Sequence, residues 1–242
     1  MNSEDYNALI AYHYQSYRPP LHAIILKNYL SEKKFDYGLD IGCGTGKSTV
    51  ALKQFCKETV GVDPSKAMLA KTAPEQGITY EYFNGLQLHH KKDSYDVITL
   101  AGSWWYGKSQ TLLNDIVKVG RRGAPVFLYD FEILLAPIYQ KLQLKLHSHI
   151  TDYDHFIDFN GFNMEGLQFI SKVSDEVLLK VTAQELAHLI CSEQAVLKLL
   201  QLKFDDSHPF KKLVNELENS YKGKNIELLA RTFSTSYKIV KR

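Results

Sequence analysis

The chain has 242 residues, 45% hydrophobic and 23% charged, and its 29 Lys plus Arg nearly balance 27 Asp plus Glu for a net charge of +2. This composition excludes a disordered or collagen-like chain, and the even charge argues against a dedicated nucleic-acid or membrane-surface binder. Cys43, Cys56 and Cys191 form no CxxC pair, which argues against a disulfide framework or a cysteine zinc site and fits a reducing compartment.

Asn2-Ser3-Glu4-Asp5 opens no apolar leader, and no run nears the roughly 20 apolar residues of a membrane span, so a cytoplasmic protein is expected. Residues 4–16 are polar and rich in Tyr, and Pro19-Pro20 interrupts them. Leu21, Ile24, Ile25 and Leu30 then fall at helical spacing. The run from Tyr37 to Ile41 ends at Gly42, a strand entering a turn. Thr45–Cys56 reads as a helix, Thr59–Val62 as a strand, and Pro64–Lys71 as a helix with proline in its first turn. Strand patterns follow at Ile78–Phe83 and Tyr95–Ala101, then a helix over Thr111–Val119 and a strand over Pro125–Tyr129. Strand and helix thus alternate from about residue 35 to 131. That pattern predicts an α/β fold with a doubly wound, mostly parallel sheet. Beyond 131, Pro137–His147 and Ala183–Phe204 look helical and Phe169–Val181 partly extended. Ile226–Val240 is expected to close the sheet.

The most informative stretch is Asp40-Ile41-Gly42-Cys43-Gly44-Thr45-Gly46-Lys47-Ser48, between the first strand and its helix. Alternate glycines let the backbone turn sharply and let a ligand lie on it. A P-loop would need glycine at position 41, which is Ile. A dinucleotide fingerprint would need its third glycine at position 47, which is Lys. Asp40 would repel a pyrophosphate and attract a cationic ligand, such as the ammonium and sulfonium of S-adenosylmethionine. Asp63 ends the second strand, where an acid can accept both hydroxyls of a ribose. Asn84 follows the third strand, placed to bond an adenine edge.

Asp40 to Gly46, then Gly61-Val62-Asp63 with Met68-Leu69 behind it, then Asp93-Ser94-Tyr95-Asp96-Val97-Ile98-Thr99 resemble successive motifs of the class I S-adenosylmethionine-dependent methyltransferases. The resemblance covers about residues 12–131. Tyr17-Arg18-Pro19 and Gly102-Ser103-Trp104-Trp105 resemble the branch that includes trans-aconitate methyltransferase and other small-molecule methyltransferases.

The resemblance implies a seven-stranded Rossmann-like fold with an inserted helical cap. Residues 1–34 would be a helical lid, 35–135 the cofactor-binding core, 136–220 a mostly helical cap over substrate, and 221–242 the closing strand. Asp40, Gly42 and Gly46 would line the methionine end of S-adenosylmethionine, and Cys43, Gly44 and Ser48 would also belong to the cofactor site. Asp63 would bind ribose; Pro64 and Met68 would flank adenine. Asn84, Gly85 and Leu86 match the segment that holds the adenine ring, with the Asn84 carbonyl pairing to the adenine amine. Ala101 would lie under the sulfonium, and Tyr17 and Arg18 would belong to the lid. Trp104, Trp105 and Tyr14 would meet a small-molecule methyl acceptor, and a carboxylate, giving a methyl ester, is the acceptor that the branch suggests. A protein or RNA acceptor, or a non-catalytic S-adenosylmethionine-binding role, stays open.

No catalytic base is assigned from the sequence. His147, Ser148, His149, Asp152, Asp154 and His155 have a metal-like composition, but their loose spacing reads as a solvated loop, and no metal is expected. The Tyr group of Tyr6, Tyr12, Tyr14 and Tyr17 is either lid or helix packing.

Overall fold

The computed structural model describes residues 8–30, 33–145 and 153–241. Tyr6, His147, Ser148, His149 and Asp152 lie outside them. Helices α1 (Ala8–Ser16) and α2 (Leu21–Leu30) lead into the alternation. Its strands are β1 (Phe35–Ile41), β2 (Cys56–Asp63), β3 (Ile78–Tyr82), β4 (Val97–Ala101) and β5 (Pro125–Ile133). Its helices are α3 (Lys47–Lys53), α4 (Lys66–Leu69), α5 (Trp104–Gly107) and α6 (Gln110–Val119). Then come α7 (Ala136–Lys141), β6 (Leu167–Val181), α8 (Ala183–Cys191), α9 (Gln194–Phe204), α10 (Phe210–Tyr221) and β7 (Ile226–Ile239).

The seven strands form one sheet in the order β3-β2-β1-β4-β5-β7-β6. The pairings from β3 through β5 are parallel. At the other end, Gly123 donates to Ile239 and Ile239 to Ala124, so the start of β5 meets the end of β7 and the two strands run antiparallel. The strand order reverses between β1 and β4. In such sheets ligands sit beyond the carboxyl ends of the strands at that reversal.

Side-chain alternation builds the core on both faces of the sheet. Ile98, Leu100, Val126 and Leu128 pack with Leu112, Leu113 and Ile116 of α6. Their neighbours Val97, Phe127 and Tyr129 pack with Ile25, Leu26 and Leu30 of α2 and Leu52 of α3. β4, apolar except for Thr99 and buried up to Ala101, is thus a strand covered on both sides.

The described residues fall into two compact units. One comprises Pro20–Glu132, Asp152–Asp175 and Thr232–Arg242; the other comprises Met1–Pro19, Ile133–Thr151 and Glu176–Arg231. The second is mainly helical and centres on α8, whose Leu186, Ala187, Leu189 and Ile190 are buried. The capping box of Thr182 and Glu185 starts α8.

The sequence pattern differs from the structure at two helix boundaries. The helix expected over Ala183–Phe204 breaks at Ser192-Glu193, where the Ser192 hydroxyl turns back to the Leu189 carbonyl (2.6 Å) and Glu193 is extended. The helix expected from Pro64 starts only at Lys66, because Ser65 caps it by accepting from the Met68 N–H. The segment read as partly extended, Phe169–Val181, falls within β6, a mostly exposed edge strand.

Candidate active site

The loop after β1 folds because three of its glycines take left-handed backbone angles, Gly42 at φ 74°, Gly44 at 55° and Gly46 at 87°. L-residues reach that region only at a cost. A Cβ at Gly42 would strike Ser103, and one at Gly46 would strike the Tyr80 ring. Gly44 differs: nothing lies within 4 Å of where its Cβ would be, so that face of the loop borders open space.

Two carboxylates support the loop. Asp40 is fully buried beneath it. Ser48 Oγ (2.6 Å) and Thr49 Oγ1 (2.8 Å) donate to its Oδ2, and Thr99 Oγ1 (2.8 Å) donates to Oδ1. Burial raises the Asp40 pKa against the lowering effect of these three bonds. Asp63 lies at the end of β2. Gly44 N–H donates to Oδ2 (2.8 Å) and Ser65 N–H to Oδ1 (2.8 Å). Each carboxylate oxygen has two acceptor positions, so each Asp63 oxygen keeps one for a ligand hydroxyl.

Residues 39–128 match the family model described as a methyltransferase domain. That segment, 90 of the 242 residues, is similar to a methyltransferase domain. The glycine loop and Asp63 would fit S-adenosylmethionine: open space at Gly44 beside a carboxylate with two spare acceptor positions suits a ribose diol. A Saccharomyces cerevisiae protein named as a probable S-adenosylmethionine-dependent methyltransferase, CRG1, is 44% identical over 62 residues, 24% of this chain and 21% of the relative. A Dictyostelium discoideum protein provisionally named a methyltransferase is 28% identical over 113 residues, 42% of each chain. The chain therefore aligns with less than half the length of either curated relative. A solved structure provisionally named a type II methyltransferase, from Anaeromyxobacter dehalogenans, superimposes with a TM-score of 0.66 over 93% of this chain and 98% of its own. At 13% identity that likeness shows the fold alone.

Within the matched segment the structure refines several expected contacts. Asp40 and Ser48 bond to each other beneath the loop. Cys43 is buried with its sulfur turned towards Gly61, and burial holds its thiol protonated, far from a nucleophilic thiolate. Pro64, Met68 (39% exposed) and Leu86 (60% exposed) present apolar surface at the ends of β2 and β3, and Gly85 lies against Pro64. The Asn84 carbonyl does not face outward for an adenine amine. It accepts the N–H groups of Leu86 and Gln87 (both 2.9 Å), closing its own turn and leaving only the amide NH2 for a ligand. Ala101 ends β4, half-buried.

Trp104 and Trp105 divide. Trp104 is 1% exposed, packs on Phe159 and Phe162, and donates its indole N–H to the Asp158 carbonyl (3.1 Å), so it is a core residue that also forms part of the wall of a cavity beside Trp105. Trp105 is half-buried, edge-on to Tyr153, with Lys108 Nζ 4.2 Å over its ring. Tyr14, Tyr17 and Arg18 belong to the helical unit. There the Arg18 guanidinium lies 3.8 Å over the Tyr14 ring, and burial pushes the Tyr17 phenol up to about 12.

The sequence pattern missed a cluster at the ends of β4 and β5. Asp130 Oδ2 accepts from Tyr153 Oη (2.7 Å) and His155 Nδ1 (2.8 Å), and its Oδ1 accepts the Phe131 N–H. A Cβ at Gly102 would lie 3.3 Å from both Asp130 Oδ1 and Tyr153 Oη. Ser103, the next residue, donates to the Ile41 carbonyl beside Gly42 (2.5 Å). The cluster therefore stands one residue away from the glycine loop. The bond to Asp130 raises the His155 pKa despite partial burial. Among the described residues, no group of three or more His, Cys, Asp or Glu is arranged to hold a metal, and no helix is long and apolar enough to cross a membrane.

Proposed function

We propose that the chain transfers a methyl group from S-adenosylmethionine to a small-molecule acceptor. The observation that carries this reading is Asp63, pinned by Gly44 and Ser65 N–H groups with one acceptor position spare on each oxygen. Bound S-adenosylmethionine supplies a methyl carbon already activated by its sulfonium. The work of the chain is then orientation, which can lower a displacement barrier by several kcal/mol, on the order of 7–11 in the best intramolecular cases. Asp63 takes the ribose hydroxyls, the backbone from Gly42 to Gly46 receives the methionine end, and Pro64, Met68 and Leu86 cover the adenine.

A cavity of about 540 Å³ beside Trp105 supports a small acceptor. Phe156 and Ile157 also wall it, and its size lies in the range of ordinary ligand pockets. The segment resembling the trans-aconitate branch, Gly102 to Trp105, leads into it. The charges in its wall balance, Asp154 and Asp158 against Lys108 and Lys172, with Lys172 paired to Asp158 (2.7 Å), so the wall alone selects neither for nor against a carboxylate acceptor.

Thermal unfolding with added S-adenosylhomocysteine tests the reading. A ligand that binds the native state raises the midpoint by mass action, so stabilisation is expected with this compound and none with ATP or NAD. Asp63→Ala should weaken its binding by about 1–3 kcal/mol, the cost of leaving polar groups unpaired. Stabilisation by ATP alone would overturn the proposal, and an unchanged affinity in Asp63→Ala would remove the ribose assignment.

A further inference from the structure

Resting on that reading, we infer that His155, positioned by Asp130, is the general base of the reaction, and that the acceptor arrives with a proton on its nucleophilic atom, as a hydroxyl or an N–H group. The pair lies next to the cavity beside Trp105 and not in its wall: His155 and Asp130 line a small recess with Gly102 and Ser103, and Trp104 and Ile157 are common to recess and cavity. Asp130 is on β5 and meets the Gly102 turn of β4, and that turn is bonded through Ser103 to the strand that carries the glycine loop.

The hydrogen bonds assign the roles within the cluster. An ionised Asp130 only accepts, so His155 carries its proton on Nδ1 and presents a bare Nε2 lone pair when neutral. No hydrogen bond to Nε2 is seen among the described residues, and the side chain is one-third exposed, so an acceptor can reach it. The ring is held flat against Phe233 and edge-on to Tyr153, which fixes its direction. Tyr153 is not the base. Burial and the Asp130 carboxylate keep its phenol protonated far above neutral pH, and its hydroxyl already donates to Asp130. The charged groups facing His155 are Asp130 and Glu132 from β5 and Asp154 from its own loop, all acids. They stabilise the imidazolium that forms when the base takes a proton, and they repel an anionic acceptor.

The step balances without another reactant. The acceptor's proton passes to His155 Nε2 and its lone pair forms the new bond to the methyl carbon. The carbon–sulfur electron pair stays on sulfur, and the imidazolium later releases its proton to water. A carboxylate is already ionised at neutral pH and would leave this base idle.

The test uses wild type, His155→Gln and Asp130→Asn. Each is incubated with S-adenosylmethionine labelled in its methyl group, with a panel of phenols, alcohols, amines and carboxylates and with a deproteinised metabolite extract. The wild type should give a labelled product stable to mild alkali, as ethers and N-methyl groups are. His155→Gln should lower kcat by ~100-fold and flatten the rise of rate with pH, while binding S-adenosylhomocysteine within about twofold of wild type. Asp130→Asn should fall between the two. Independently of turnover, the His155 imidazole in the unliganded protein should titrate above the ordinary histidine range by NMR, and return to it in Asp130→Asn. That shift separates a poised base from a loop tether.

An alkali-labile methyl ester as the product, wild-type kcat in His155→Gln, or an ordinary titration in wild type would overturn the inference and leave the methyltransferase reading intact. Should His155→Gln fail to bind S-adenosylhomocysteine, the NMR titration and the Asp130→Asn rate decide in its place. No transfer by a wild type that binds S-adenosylhomocysteine would overturn that reading first, and this inference with it.

Discussion

The two ends of the strand reversal hold their carboxylates by different means. At the ends of β1 and β2, Asp40 is held by three hydroxyls and Asp63 by two backbone N–H groups, none of which changes protonation near neutral pH. At the ends of β4 and β5, Asp130 is held by a phenol and an imidazole. A group that must only grip a ligand is best served by partners that never titrate. A group that must help move a proton needs one that titrates close to the working pH. The contrast agrees with the proposed roles, ligand binding at the first end and proton transfer at the second.

The largest effect should come from breaking the locked end. Asp40→Ala removes a fully buried acceptor and strands the Ser48, Thr49 and Thr99 hydroxyls. An unsatisfied buried polar group costs about 1–3 kcal/mol, so a loss of ~3 kcal/mol or more is expected in urea unfolding. Asp40→Asn, which keeps an acceptor oxygen, should lose less. Equal losses for the two would mean that the hydroxyls are not what Asp40 holds.

The helical unit offers a second test, of opposite sign to the titrating end. His13 and His188 are buried, with their Nδ1 atoms 2.9 Å apart. One must donate and the other accept, so the pair cannot hold both protons. Burial, with His188 second, lowers the His13 pKa to about 4, and burial lowers that of His188. The unfolded chain binds protons at these positions below about pH 6.5, and the folded chain resists them. Stability should therefore be full above pH 6.5 and fall as the pH drops towards 4, by ~3 kcal/mol at a value of about 1.4 kcal/mol per pKa unit. His13→Phe should flatten that slope in chemical unfolding followed from pH 7 to 4.5. A slope as steep as in the wild type would place the acid sensitivity elsewhere.

The locked end was legible in the sequence because it is local. Asp40, Gly42, Gly44, Gly46 and Asp63 lie within one strand–helix–strand passage, and each is demanded by backbone geometry or by a hydroxyl ligand. The titrating end was not. His155 stands in a loop among histidines and acids close in sequence, which suggested a metal-like composition, whereas its partner lies 25 residues back on β5. A contact between a loop and a distant strand is made by the folded chain, and spacing along one segment cannot reveal it. Asn84 shows a smaller failure of the same kind. Its carbonyl was expected to face a ligand, but in Asn84-Gly85-Leu86 the nearer donors were the N–H groups of its own turn. The edge strand β6 gave only a partly extended pattern, because most of its side chains are exposed and show little alternation.

The smallest predicted effect sharpens the comparison most, because only the titrating end can produce it. The Asp130 bond raises the folded pKa of His155 above its unfolded value. Its contribution to stability is therefore complete below about pH 6.5 and disappears as the pH rises through the folded pKa. With a third of the His155 side chain exposed, solvent screens the pair, and the contribution should be only about 0.2–1 kcal/mol. Subtracting the unfolding free energies of Asp130→Asn from those of wild type between pH 6 and 9 should give a difference that declines with pH. The same subtraction for Asp63→Asn should give a flat line, since Gly44 and Ser65 N–H groups do not titrate. A flat line for Asp130→Asn as well would make the two ends alike, and would leave the Asp130–His155 bond as packing rather than a poised proton acceptor.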